Sequence, residues 1–350
     1  MSTTPLSISR AKKYKTVFKG AAILTTFAAL YIVTSPSTGK RLVKNASIKG
    51  LYNVSGNDCF LNCVLQSLAS QESLLEILKL RCSSSTLYAT LYELLQKLNS
   101  GPGNPITPGS FLNSLEIATN KKLVRSIQQD AQEFLQHLVE TLELQKPHTY
   151  KWSKVLAFPV DSPFIGTMEQ KVQCCQCLAI SISYSTATSI QLCLPPEYSG
   201  NSNVSLLSLM EADREQHISD YKCDSCFKSS PKHSKTSCIR TVDWKNPPTI
   251  LQIQLERTSY TCQGLTRNNV SISFPSKLIL KNKHHYILRS LITHSGSVTY
   301  GHYLCYRLQD DIWWKANDSL ITKSSLNEAL SQTRSACLLF YEMESPLALD

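Results

Sequence analysis

Residues 50–69 read GLYNVSGNDCFLNCVLQSLA. The first nine are rich in turn-forming Gly, Asn and Ser. They open directly into a run in which Phe60, Leu61, Val64, Leu65 and Leu68 recur at helical spacing. Cys59 therefore stands in the first turn of a predicted helix. Unpaired backbone N–H groups and the positive end of the helix dipole favour a thiolate there, and the thiolate is the reactive form. Taken alone, one cysteine among thirteen is more simply a small buried hydrophobe. Only its company can make it a nucleophile.

Outward from this stretch, Leu87–Leu98 repeats the helical pattern. So do Ala131, Phe134, Leu135, Leu138, Val139 and Leu142, beyond a loop at Gly101-Pro102-Gly103-Asn104-Pro105. After about Trp152 the texture changes. Ser189–Leu194, Thr249–Leu255, Val270–Phe274, Tyr286–His294 and Ala336–Glu342 cluster or alternate apolar and β-branched residues and read as strands. A helical first third followed by a strand-rich remainder predicts an α+β protein, with helices packed on an antiparallel sheet.

The chain has 350 residues, 42% hydrophobic and 18% charged, which excludes disorder, collagen-like repeats and a small disulfide scaffold. It carries a formal charge of +10. Residues 1–49 hold nine Lys and Arg and no Asp or Glu, so the other 301 residues carry 27 basic and 26 acidic side chains. A near-neutral body has no basic face for nucleic acid, and that class is set aside.

Between Lys19 and Lys40 lie 20 uncharged residues, with Gly20–Val33 mostly apolar. The expectation is a single signal-anchor helix at about 17–35, followed by a polar linker from Ser35 to Ser47. A cleaved signal peptide and a non-membrane helix are the alternatives. The long basic start and the charge resuming at Lys40 and Arg41 weigh against cleavage. A short span with basic flanks on both sides suits the mitochondrial outer membrane, with the endoplasmic reticulum second. The body is expected in the cytosol.

The odd number of cysteines and the Cys-x-x-Cys pairs Cys174/Cys177 and Cys223/Cys226 fit a tetrahedral zinc better than a disulfide framework. A second constellation is Gly301-His302-Tyr303 followed by Trp313-Trp314-Lys315-Ala316-Asn317-Asp318. Cysteine catalysis needs an imidazole to take the proton and a polar group to orient it. His302 and the Asn317-Asp318 pair can supply both across adjacent strands. His294 is the rival base, in a context that reads as a turn.

These segments resemble the cysteine and histidine boxes of the ubiquitin-specific protease family. Gln128-Gln129-Asp130-Ala131-Gln132-Glu133-Phe134-Leu135 matches the family's QQDAQEFL segment. The two Cys-x-x-Cys pairs, Asn246–Leu251 and Leu338–Glu342 follow in the family's order. The resemblance implies a papain-like fold with a helical thumb and β-rich palm and fingers over residues 50–345, behind the N-terminal segment 1–49. It implies Cys59 as nucleophile, His302 as base and Asn317 as third member, with Asp318 the fallback. Asn53 would be the oxyanion donor, with Asn57 or backbone N–H groups as alternatives. Asp130 and Glu133 would face the basic tail of ubiquitin, with Gln129 and Tyr303 also contacting substrate. Cys174, Cys177, Cys223 and Cys226 would hold one structural zinc, and catalysis would need no cofactor.

Three departures stand out. Two residues, Val54 and Ser55, separate Asn53 from Gly56, where the family has one. Asp58 replaces the usual Thr or Ser, and a carboxylate there disfavours a thiolate. Ala316 replaces an aromatic residue. The expected function is a membrane-anchored, monomeric deubiquitinase that removes ubiquitin from conjugates at the membrane. The rivals are a catalytically impaired ubiquitin-binding adaptor and a secreted thiol protease with disulfides in place of zinc.

Overall fold

The predicted helix forms as α1 (Cys59–Ala69), but every residue of it is buried, not only the apolar stripe. Four more helices follow: α2 (Glu72–Arg81), α3 (Thr86–Asn99), α4 (Gly109–Thr119) and α5 (Ala131–Leu144). Ser85 starts α3 by accepting from the Tyr88 N–H, and Asp130 starts α5 by accepting from the N–H groups of Gln132 and Glu133. The stripes read from the sequence face α1, which packs against α2, α3 and α5.

The computed structural model describes residues 48–125, 127–145, 162–195, 204–229, 235–261, 264–297 and 300–344, all within the unit Asn45–Asp350. The expected anchor at 17–35 lies outside the described residues. Among the described residues, no helix is long and apolar enough to cross a membrane.

The remainder is built on strands. In chain order they are β1 (Gly166–Cys174), β2 (Ile180–Ala187), β3 (Ser189–Cys193) and β4 (Val204–Ser205). Helix α6 (Leu206–Arg214), β5 (Glu215–Tyr221) and helix α7 (Asp224–Ser229) come next. Then come β6 (Thr236–Asn246), β7 (Ile250–Glu256), β8 (Thr258–Thr261), β9 (Gly264–Arg267), β10 (Ile272–Ser273) and β11 (Lys277–Ile279). The chain closes with β12 (His285–Gly296), β13 (Gly301–Gln309), β14 (Ile312–Asn317), β15 (Leu320–Lys323), helix α8 (Leu326–Leu330) and β16 (Ala336–Met343).

One sheet has the order β2-β1-β6-β5. The larger has the order β15-β14-β13-β12-β16-β7-β3, with β11 beside β12. The large sheet is antiparallel except where β3 runs parallel to β7. Its face at β12, β13 and β14 covers the side of α1 that the helices leave open. That second cover explains why α1 is buried all round.

Polar residues on the sheet side of α1 are accordingly bonded. Gln66 Nε2 donates to the Lys49 carbonyl at 2.7 Å, and Ser67 Oγ lies 3.2 Å from Cys305 Sγ. The guanidinium of Arg307, wholly buried, donates to the Gln66 carbonyl at 3.3 Å and to Asn99 Oδ1 at 2.8 Å.

Four predicted strands appear as β3, β7, β12 and β16. The fifth, Val270–Phe274, shrinks to β10, because buried Arg257 takes the carbonyls of Asn268 and Val270 at 3.2 and 3.0 Å and so draws them out of any ladder. The sheet of β1, β2, β5 and β6 was not legible as strands. Exposed along nearly all of β2 and β5, it lacks the apolar alternation that burial of one face imposes.

Candidate active site and metal centre

Cys59 is the first residue of α1 and only 1% exposed. The residues before it are pinned. The Asp58 N–H donates to Asn53 Oδ1 at 2.9 Å, and Asn53 Nδ2 donates to Asp318 Oδ2 at 3.0 Å. Asn62, one turn into α1, donates to the other Asp318 oxygen at 2.7 Å. Asn53 thus sits at the helix start despite the extra residue. The surplus is taken up by an outward loop, in which Val54 is 72% exposed and Gly56 turns the chain with a φ of +78°.

His302 stands near the start of β13, and its Nε2 donates to Asn317 Oδ1, 2.6 Å away at the end of β14. Its ring also bonds the Cys59 thiol. That bond is the chief reason its pKa rises to about 9; burial opposes the rise, and the Asn317 bond and the nearby Asp318 charge support it. An imidazole with so high a pKa holds its proton at neutral pH, the state that accompanies a cysteine thiolate. Of the Asn317-Asp318 pair, Asn317 meets the imidazole. Asp318 spends its carboxylate on Asn53 and Asn62.

His294 is not placed to act as base. It lies opposite Tyr303 in the β12–β13 ladder, with the rings 4.4 Å apart, and Arg267 bonds both its Nδ1 and its carbonyl oxygen. Burial and then the Arg267 charge lower its pKa to about 4, so it is neutral at pH 7. It belongs to a strand, not to the turn its context suggested. A Cβ on Gly301 would overlap its ring, so the residue before His302 has no room for a side chain.

Asp130 caps α5 with Oδ1, which accepts from Gln132 N at 2.8 Å and Glu133 N at 3.1 Å. Its Oδ2 accepts from Tyr303 OH at 3.1 Å. Both residues line a cleft of about 440 Å³ that also includes His294, Arg257, Arg267 and Cys337. Glu133 is exposed three positions beyond the cap and is not part of that lining. Gln129 folds back onto the Val124 carbonyl and is not brought to Cys59 or His302.

Two neighbours of the site had gone unassigned. Gln128 Nε2 donates to the Gly301 carbonyl at 2.5 Å, and its Oε1 accepts from Gly301 N–H at 3.0 Å. The same Nε2 is 3.9 Å from Cys59 Sγ. Arg125 donates to both carboxylate oxygens of Asp58. Gln128 had a signal in its place within the QQDAQEFL segment. For Arg125 no local pattern exists, because its partner lies 67 positions away in sequence.

At the far end of the small sheet, Cys174, Cys177, Cys223 and Cys226 bring their Sγ atoms within 4.8 Å of one another. Cys174 lies 3.8 Å from Cys226 and Cys177 3.6 Å from Cys223, sulfur to sulfur. A zinc about 2.3 Å from each sulfur separates them by roughly 3.8 Å, so the four thiols fit a tetrathiolate ion. Backbone N–H groups of Cys177 and Gln176 point at Cys174 Sγ and, led by the Cys177 N–H, lower its pKa to about 6. Such donors stabilise a metal-bound thiolate. Cys175 is exposed, with His217 Nε2 4.0 Å from its sulfur, and lies outside the four-cysteine set.

The profile of the family described as ubiquitin carboxyl-terminal hydrolase matches residues 49–341. Ubiquitin carboxyl-terminal hydrolase 22 of Homo sapiens is 25% identical over 87% of this chain and 68% of its own length. Ubiquitin carboxyl-terminal hydrolase 51 of Mus musculus is 25% identical over 87% of this chain and 52% of its own. Ubiquitin carboxyl-terminal hydrolase 2 of Bos taurus is 26% identical over 91% and 59% respectively. The chain thus spans between about half and two thirds of these relatives. Among solved structures, the SAGA Ubp8/Sgf11/Sus1/Sgf73 DUB module bound to ubiquitin aldehyde superposes with a TM-score of 0.68 at 20% identity, over 93% of this chain and 75% of the other. The same module bound to monoubiquitin gives 0.68 at 21% identity, over 92% and 75%. At this identity the likeness shows the fold.

Because the pKa of His302 is raised above its ordinary value, its imidazolium persists below about pH 9 and is lost as pH rises through that value. The kcat/KM profile should therefore fall on a basic limb near pH 9. Asn317→Ala removes one raising contact and should move that limb to lower pH; an unmoved limb would exclude Asn317 as the partner of His302. Metal analysis of the purified protein should find about one zinc per chain, and replacing Cys223 and Cys226 together by Ser should remove it and lower the melting temperature. Metal-free protein of unchanged stability would refute the zinc site.

Proposed function

The chain belongs to the ubiquitin carboxyl-terminal hydrolase family, and from that membership we propose that it hydrolyses isopeptide and peptide bonds after the C-terminal glycine of ubiquitin, with Cys59 as the nucleophile. The observation that carries this reading is His302, held between Cys59 and Asn317 with its proton retained. The Cys59 thiolate attacks the glycine carbonyl, and the imidazolium gives its proton to the departing amine. Water, deprotonated by His302, then attacks the thioester and releases the ubiquitin carboxylate and the thiolate.

The tetrahedral oxyanion forms at the N-terminus of α1. Asn53 is fixed there with one amide hydrogen on Asp318, leaving the other to donate. A preorganised donor of this kind is worth about 3 kcal/mol of barrier. The cleft lined by Asp130 and by Tyr303, the residue after His302, is the place for the extended, basic tail of ubiquitin on this reading. Asp130 supplies negative charge there, and the exposed Glu133 adds to it from the first turn of α5.

The finer reading concerns place. The uncharged segment between Lys19 and Lys40, with basic residues on both flanks, supports a single anchor at about 17–35 in the mitochondrial outer membrane. The catalytic unit would then act as a monomer from the cytosolic side on conjugates at that membrane. The adaptor reading has one observation in its favour, the carboxylate of Asp58 beside the nucleophile, and the bonds from Arg125 answer it.

Ubiquitin bearing a C-terminal vinyl sulfone should label Cys59. Cys59→Ala should lose both label and turnover while still binding ubiquitin, and undiminished turnover in that variant would sink the mechanism. Deleting residues 1–44, which leaves the buried Ile48 and the Lys49 bonds in place, should release an active enzyme from the membrane fraction. A mature N-terminus near Ser35, or protection of the catalytic unit from protease added to intact organelles, would instead indicate a cleaved or translocated segment.

A further inference from the structure

Asp58 is wholly buried and directly precedes Cys59. A carboxylate in this place needs explaining on two counts. Its side chain makes no capping bond to α1, and a negative charge beside Cys59 opposes formation of the thiolate. The charge is met from the loop between α4 and α5. Arg125 Nε donates to Oδ1 at 2.8 Å and Arg125 Nη2 to Oδ2 at 2.5 Å, a two-pronged pairing, and the Ser55 N–H adds a third bond at 3.2 Å. Burial alone would raise the pKa of Asp58. The bonds from Arg125 and Ser55 outweigh it, and the group stays ionised with a lowered pKa.

The same loop makes a second hold. Three residues after Arg125, Gln128 is bonded to both backbone groups of Gly301, immediately before His302. One loop therefore grips the residue before the nucleophile and the residue before the base.

We propose that Arg125 is a positioning residue for the hydrolysis: by forking onto Asp58 it cancels the charge beside Cys59, so that the thiolate and imidazolium are kept together. This rests on Cys59 being the nucleophile. A role in loop packing alone would make no use of the charge, and the two can be separated because Asp58 can be neutralised independently. The other ionisable groups around Cys59 are few. His302 approaches from β13 with Asp318 behind it, and Cys63, one turn along α1, is held neutral because burial pushes its thiol well up. The charge of Glu116 on α4 also acts on Arg125, and its carboxylate accepts from the Leu123 N–H at 3.0 Å.

The test uses the full chain as Arg125→Ala, Arg125→Lys and the double variant Arg125→Ala with Asp58→Asn. Three quantities are read: melting temperature, the pH dependence of iodoacetamide alkylation at Cys59 followed by mass spectrometry, and kcat and KM on a ubiquitin substrate. Arg125→Ala should raise the alkylation midpoint by about one pH unit and lower kcat about tenfold, with KM changed less. Arg125→Lys keeps the charge and should keep the midpoint near that of the parent. The double variant should return the midpoint to the parent position and recover most of the lost kcat. An unchanged midpoint in Arg125→Ala, or a double variant as impaired as the single one, overturns the proposal. If Arg125→Ala does not fold, the double variant, which buries no unpaired charge, decides by the same criterion. Turnover retained in Cys59→Ala would be a failure of a different kind, removing the nucleophile and not the positioning role.

Discussion

The carboxylate of Asp318 ties together segments that are remote in sequence. It receives amide protons from Asn53 and Asn62, while its own backbone carbonyl accepts from the Leu51 N–H at 2.9 Å. Three segments meet there: the loop before α1, α1 itself and the turn after β14. The residue adopts a left-handed backbone, φ +51°, which the tight turn into β15 demands and which Asp tolerates better than most. Gly50 completes the junction, since a Cβ there would come within 2.8 Å of the carbonyl oxygens of Asp318 and Ser319. This knot gives Cys59 and Asn53 on the helix side and His302 on the sheet a shared point of reference.

Around that knot the two layers are held by an unusually complete burial of α1. A helix covered on all sides loses the freedom to keep polar residues in water, so each must find a partner within the core. Asn62 finds Asp318, Gln66 finds Lys49, and the buried Arg307 reaches the Gln66 carbonyl. Breaking a buried charged group away from its partners costs about 3 to 5 kcal/mol, a large part of the net stability of a domain. The polar bonds of α1 therefore specify its rotation and depth as much as its leucines do, and with them the position of Cys59.

Much of this was legible in the sequence, and the limits follow a pattern. Local signals carried far: the turn running into an apolar helix located Cys59, and the paired Cys-x-x-Cys spacing located the metal ligands. Spacing alone left Asn317 and Asp318 as a pair, and it was the resemblance that put Asn317 first, because two adjacent residues in one motif differ only in which neighbour each meets in space. The extra residue before Gly56 put Asn53 in doubt for the same reason, and only its bonds to Asp58 and Asp318 resolve its position. His294 looked like part of a turn because its neighbours are Ser and Gly, yet it pairs in a ladder with Tyr303. Asp58 read as a liability, since nothing local announces a guanidinium arriving from another loop.

The outward loop at Val54–Gly56 has a consequence for how this region can change over generations. Its two ends are pinned independently of its length, by the Asn53 side chain on one side and the Asp58 N–H and carboxylate on the other. Extra chain placed between fixed ends adds mainly closure entropy, roughly 0.6 kcal/mol for each doubling of loop length. Extra residues can therefore be taken up a few positions from Cys59 so long as Ser55 keeps its bond to Asp58, whereas changes at Asn53 or Asp58 remove the pins themselves.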